Sequence, residues 1–159
     1  MAIDSAALAA LPFFARLTAE QRRAVSLVLV ERAFSPGTVI FAEGTPGMAC
    51  AFVIEGLVHA ELEIAGGRRE RINTMGSGEI FGEISLIDGG ARSASCVVGE
   101  GGARVALLSR ADFGLLFDAG NPFAFSMVRF ISRQLARRVQ RATRVWGEAA
   151  RAGESVRDR

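Results

Sequence analysis

The stretch Phe81-Gly82-Glu83-Ile84-Ser85-Leu86, followed at short range by Ala91-Arg92-Ser93-Ala94-Ser95, sets a carboxylate and a guanidinium nine positions apart among glycine and small hydroxyl residues. A carboxylate accepts hydrogen bonds from a hydroxyl, and a guanidinium clamps phosphate oxygens in a planar fork. The pair therefore suits a small ligand carrying both a sugar hydroxyl and a phosphate. For an isolated Glu and Arg, a surface ion pair is the plainer reading. The surrounding chain decides between the two.

Outward from this stretch, residues 31–108 alternate short β-prone runs with glycine-bearing breaks. The runs are Thr38–Phe41, Ala51–Ile54, Leu57–Ile64, Glu70–Thr74, Ala94–Val98 and Val105–Leu108. The breaks fall at Pro36-Gly37, Glu43-Gly44, Pro46-Gly47, Gly66-Gly67, Gly76-Ser77-Gly78, Gly89-Gly90 and Gly101-Gly102. Such spacing predicts antiparallel hairpins rather than βαβ units, with Gly66-Gly67 as a hairpin turn. Before the strands, Thr18-Ala19-Glu20-Gln21 has the form of a capping box and predicts a helix from Thr18 to Val30. Leu11-Pro12-Phe13-Phe14 predicts a short turn or helix ahead of it. After the strands, Ser109 is placed to cap a helix over Arg110–Phe117, and Asn121-Pro122 opens a long helix reaching Trp146. The fold class expected is α+β: an antiparallel β-roll, a jelly-roll-like double-stranded sheet, flanked by an N-terminal helix and C-terminal helices.

At 159 residues, half of them hydrophobic, the chain reads as a single globular domain over 1–159. Within it, 1–32 is an N-terminal helical segment, 33–108 the β-roll, 109–146 the C-terminal helices and 147–159 a polar tail expected to fray. No apolar run approaches a membrane span, and no basic region precedes the first apolar residues. Cys50 and Cys96 form no spacing motif and suit a reducing, cytoplasmic setting. His59 is the only histidine, so neither a clustered-histidine metal site nor a histidine-activated nucleophile is available, and no enzyme activity or metal is expected. Cys96 reads as a small core residue.

Charge is unevenly spread. Residues 1–128 hold ten Arg and fourteen acids, net −4; residues 129–159 hold nine Arg and three acids, net +6. The basic stretch reads as a solvated helix face, or as a surface that docks on the acidic body, on nucleic acid or on an acidic partner. Along the same helix Val128, Leu135 and Ala142 repeat every seven residues, and Ile131, Val139 and Trp146 broaden the stripe. This stripe is either a homodimer seam or a face folded back over the roll.

Pro36-Gly37-Thr38-Val39-Ile40, Glu43-Gly44, Gly47, Phe52-Val53, Gly56, Gly76-Ser77-Gly78, Phe81-Gly82-Glu83-Ile84 and Arg92-Ser93-Ala94-Ser95 resemble, in order and spacing, the cyclic nucleotide-binding domain. The resemblance runs from Leu11 to about Thr143. It points to the sensor half of catabolite-activator-type regulators, and to the domains of protein kinase A regulatory subunits and cyclic-nucleotide-gated channels. It implies a phosphate-binding cassette over 81–95. In that cassette Gly82 admits the ligand, Glu83 takes the ribose 2′-hydroxyl, and Arg92 pairs with the phosphate. Ile84, Ser85, Ser93 and Ala94 would complete the shell. The same resemblance places the final helix over the base, with Thr143 as its contact. Ala142 stands where the catabolite activators have a second hydroxyl, and Ser93 where kinase A domains often have alanine, so cyclic AMP is favoured and cyclic GMP stays open. Thr45, Met48 and Ala51 depart from the family pattern around the roll.

The function expected is a non-catalytic sensor that passes ligand binding through its C-terminal helix to a dimer mate or a regulated protein partner. The alternatives are a degenerate fold that no longer binds ligand and serves as a dimerisation or docking module, or the sensor fragment of a transcription regulator or channel. With no helix-turn-helix after Thr143, no direct DNA binding is expected beyond a weak, salt-sensitive contact of the Arg-rich helix.

Overall fold

The computed structural model describes residues 3–157, and their side chains as far as Glu148. The chain forms two compact units, Met1–Phe125 and Ser126–Arg159. The first contains α1 (Ser5–Ala9), α2 (Ala19–Ser26), β1 (Leu29–Phe34), β2 (Val39–Phe41), β3 (Ala49–Ile64) and β4 (Arg68–Met75). It continues with β5 (Ile80–Phe81), α3 (Ile84–Asp88), β6 (Ser95–Ser109) and α4 (Arg110–Asp118). Helix α5 (Pro122–Arg157) begins in the first unit and makes up the second.

All strand pairings are antiparallel, in the order β1-β6-β3-β4, with β2 also on β6 and β5 also on β3. The antiparallel roll flanked by helices is thus the fold the punctuation predicts. The hairpin forms at Gly66-Gly67, both with positive φ, and the Gly67 amide donates to the Ile64 carbonyl at 3.2 Å.

Three local expectations are corrected. The runs Ala51–Ile54 and Leu57–Ile64 are one strand, and Val105–Leu108 shares another with the Ala94–Val98 run, which begins at Ser95. The glycine-bearing breaks between them are register shifts within a continuous β3–β6 ladder, at Val53/Glu55 and Gly56/Val58. Helix α2 stops at Ser26 instead of Val30, because Leu29–Phe34 finds a partner in Ala103–Leu108, and a ladder outweighs local propensity. A cross-strand ion pair lies along that edge, with Arg104 Nε and Nη2 both 2.9 Å from Oε1 of Glu31. Helix α5 continues past Trp146 to Arg157; Ala149, Ala150 and Ala152 are strong helix formers, and Gly153 costs only about 1 kcal/mol. The side chains of that last stretch lie outside the described residues.

The caps follow the sequence. The Thr18 hydroxyl accepts from the Gln21 amide at 3.2 Å while the Gln21 side chain accepts from the Thr18 amide at 2.9 Å. Ser109 accepts from the Asp112 amide at the start of α4. Inside the roll, Ala51, Val53, Val58, Met75, Phe81, Cys96, Val98, Ala103 and Val105 form the core, against which Phe41 and Ile40 pack. The Leu11–Phe14 turn feeds a second cluster: Phe14 stacks on Phe123 with centroids 5.3 Å apart and meets Phe52 edge-on at 4.8 Å. Each such fully buried ring contributes about 1.5–3 kcal/mol. This fixes β3 and the first turn of α5 against the N-terminal segment.

Candidate functional site

The site is built on two short connections. Strand β5 delivers the chain to Gly82, whose φ of +71° turns it sharply into Glu83 and helix α3. A β-carbon at Gly82 would lie 2.6 Å from Arg92 Nη1 and 2.7 Å from Phe41 Cε2, so both conformation and space demand glycine. Helix α3 ends on left-handed Gly89, and the chain returns past Ala91, which bridges to Pro46, to reach Arg92. The backbone of Arg92 is locked into the Glu43–Gly47 loop. Its amide donates to the Thr45 carbonyl at 2.8 Å, and its carbonyl accepts from Gly44 at 2.9 Å.

The Arg92 side chain is 8% exposed. Nη1 donates to the Gly82 carbonyl at 3.0 Å and the Ser85 hydroxyl at 2.8 Å; Nη2 donates to the Ala49 carbonyl at 2.6 Å. The Phe41 ring covers one face of the guanidinium, 3.7 Å from Cζ to centroid. Three of five N–H donors are thereby used. The two left are Nε–H and one on Nη2. No buried side-chain nitrogen lacks a partner among the described residues, so Nε opens to solvent. The protein holds one side of the guanidinium and leaves donors for an incoming anion.

Burial pushes the Arg92 pKa below its ordinary value; the neighbouring Cys96, Cys50 and Glu83 pull it back up. Glu83, itself buried, is thus close enough for its charge to act on Arg92. Ser85, also buried, has its hydroxyl donating to the Gly82 carbonyl at 2.8 Å while accepting from Arg92. It sits where a β-carbon on Gly47 would fall 2.0 Å from its own Cβ, so the loop and α3 touch backbone to side chain. Leaving a buried guanidinium short of partners costs several kcal/mol, which is why these oxygens surround it.

The structure therefore brings together Gly82, Glu83, Ile84, Ser85 and Arg92. Ser93 is exposed and Ala94 buried, immediately before β6. Thr143 lies on α5 in the second unit, exposed. Sequence reasoning missed Phe41 and the carbonyls of Ala49 and Thr45. Phe41 reads as one more strand residue, and backbone oxygens carry no signature in a sequence. Elsewhere, His59 pairs across the sheet, its Nδ1 3.0 Å from the Thr74 hydroxyl, and is buried. Cys50 and Cys96 are free and buried. Burial raises both thiols, Cys96 to about 11 despite the opposing charge of Arg92. Among the described residues no group of acids, histidines and cysteines could hold a metal, and no helix is long and apolar enough to cross a membrane.

Residues 31–119 match the model of the cyclic nucleotide-binding domain. The chain is 32% identical over 124 residues to a cyclic AMP receptor protein from Thermus thermophilus, covering 78% of this chain and 57% of that protein. It is 30% identical over 111 residues to a cAMP-dependent protein kinase regulatory subunit from Pyricularia oryzae, covering 70% and 27%. The chain thus spans little more than half of one relative and about a quarter of the other. Among solved structures it is similar to the Thermus thermophilus catabolite activator protein, with a TM-score of 0.74 at 30% identity, covering 83% of this chain and 62% of that one. With more than half of its length matched, including the whole Gly82–Ala94 connection, the chain belongs to the cyclic nucleotide-binding domain family.

Proposed function

We propose that this chain is a non-catalytic sensor that binds a cyclic nucleotide through Gly82, Glu83, Ile84, Ser85, Arg92, Ser93 and Ala94. The observation that carries the reading is Arg92: a guanidinium fixed by three protein oxygens and one ring, with Nε and one Nη2 hydrogen left. A cyclic phosphate carries one negative charge, and a partly shielded arginine binds it more strongly than an exposed one. Glu83 takes the ribose hydroxyl. Cyclic AMP is the favoured ligand and cyclic GMP the competitor, with Thr143 as the candidate base contact.

Binding shifts a pre-existing equilibrium of α5 and so reaches a dimer mate or a regulated partner. The dimer reading is supported by the apolar stripe, on which Val139 is 64% and Trp146 80% exposed. Calorimetric titration with cyclic AMP and cyclic GMP tests the proposal. Arg92→Lys keeps the charge but loses the fork, and affinity is expected to fall about 30-fold or more, equivalent to roughly 2 kcal/mol or above. Absence of binding by the native protein would favour the docking-module reading. Heat that survives Arg92→Lys unchanged would sink the phosphate assignment.

A further inference from the structure

Between Asp118 and Glu148 the chain carries six arginines, at 129, 133, 137, 138, 141 and 144, and no carboxylate. On α5, Arg133, Arg137, Arg141 and Arg144 recur at four- and three-residue steps and therefore share one face. All four are exposed. With Gln140, the last three line a shallow recess of about 250 Å³. No described carboxylate forms an ion pair with Arg133, Arg137, Arg141 or Arg144. Like charges one turn apart destabilise a helix, so this face is electrostatically unbalanced as it stands.

The apolar residues Leu135, Val139, Ala142 and Trp146 fall on the opposite side, roughly 180° around the helix from the arginines. That opposition discriminates between occupants. An anionic bilayer would bury the apolar face and hold the arginines at its headgroups, but that apolar stripe is the face the proposed dimer seam covers, which leaves only the arginine face outward. A protein partner would need apolar anchors at its centre, and the arginine face offers only Gln140 between the charges. A nucleic-acid backbone needs neither: its interfaces are polar, strongly positive on the protein side, and formed largely to phosphates.

We propose that the arginine ridge of α5 binds the phosphate backbone of duplex nucleic acid without reading its sequence. Backbone binding of this kind requires aligned charge and no base-reading motif. The proposal is independent of the cyclic-nucleotide reading, since it uses none of that site's residues.

The test is fluorescence anisotropy of the full chain with a labelled mixed-sequence duplex of about 20 base pairs, titrated across sodium chloride concentrations. Four phosphate contacts predict a log–log salt slope of about −3.6. Arg137→Gln/Arg141→Gln/Arg144→Gln is expected to flatten the slope to about −0.9 and weaken binding at least tenfold at about 50 mM salt. The corresponding triple Lys variant is expected to keep the slope. Arg68→Gln/Arg69→Gln, on the β3–β4 hairpin, is expected to change nothing. If circular dichroism shows lost helicity in the Gln variant, Arg141→Gln alone replaces it and is expected to flatten the slope by about one. No binding at low salt, a slope unmoved by the Gln substitutions, or loss of binding in the Lys variant would each overturn the proposal. So would equal or tighter binding to anionic phosphatidylglycerol vesicles or to polyglutamate.

Discussion

At the scale of single residues, the site turns on how a buried guanidinium is satisfied without being consumed. Gly82, Ser85 and Ala49 take three of its donors, and Phe41 covers a face that would otherwise need water. A cation over an aromatic face gains about 0.5–2 kcal/mol, more when desolvated. Phe41→Leu keeps an apolar side chain over Arg92 but removes the ring quadrupole. We expect it to lower the free energy of unfolding by about 0.5–2 kcal/mol, because the contact is present without ligand, and to weaken cyclic-nucleotide binding as the guanidinium loses its fixed orientation; urea titration and calorimetry would record the two effects. Equal affinity in the two proteins would show that the ring only fills space. Glu83 and Arg92 are legible in the sequence because their chemistry and spacing are distinctive. Phe41 is not: its role exists only because β2 passes over the Gly82 connection.

At the scale of elements, α5 is the informative one. Its start is buried through Phe123, Ala124, Met127 and Ile131, whereas Leu135, Val139, Val145 and Trp146 are exposed. The heptad spacing of the stripe is readable directly. The change from covered to uncovered along it is not, since that depends on where other elements end. If the uncovered part is a homodimer seam, a charge placed there opposes association without touching the fold. Val139→Glu is expected to convert a dimer to a monomer in sedimentation or light scattering, with helicity retained in circular dichroism. Burying one unpaired carboxylate per chain costs several kcal/mol. A native protein that is monomeric at tens of micromolar would remove the seam from consideration. The strands give the opposite lesson. Glycine-bearing breaks mark both real turns, such as Gly66-Gly67, and irregularities inside a continuous ladder, such as those at Gly56 and Gly102. Only the partner strand distinguishes them.

At the scale of the whole molecule, the composition makes one titration unusually clear. The chain has no lysine and no tyrosine, so the two cysteines are the side chains that ionise between neutrality and the arginine range. Both are buried, and burial raises Cys96 to about 11 and Cys50 further. A folded-state pKa above the unfolded value means that the unfolded chain loses its protons first as pH rises. The associated stability is therefore whole below about pH 8.5 and is lost as pH climbs toward 11. For Cys96 alone the rise to about 11 corresponds to roughly 2–3 kcal/mol. Urea unfolding between pH 7 and about 10.5 should show this decline, reduced in Cys96→Ala. A flat profile would contradict it.

The sequence by itself determined the class of fold, the capping of α2 and α4, the hairpin, and the placing of a carboxylate and a guanidinium on the one Gly82–Ala94 connection. These rest on local rules: hydroxyl caps, positive-φ turns, and chemistry carried by residue type at fixed spacing. Tertiary structure alone decided that residues 29–34 pair as a strand, that β3 and β6 run unbroken, and that Arg92 is anchored by Ala49 and covered by Phe41. Each of these joins residues distant in sequence through backbone groups or ring faces, and such contacts exist only once the roll has closed.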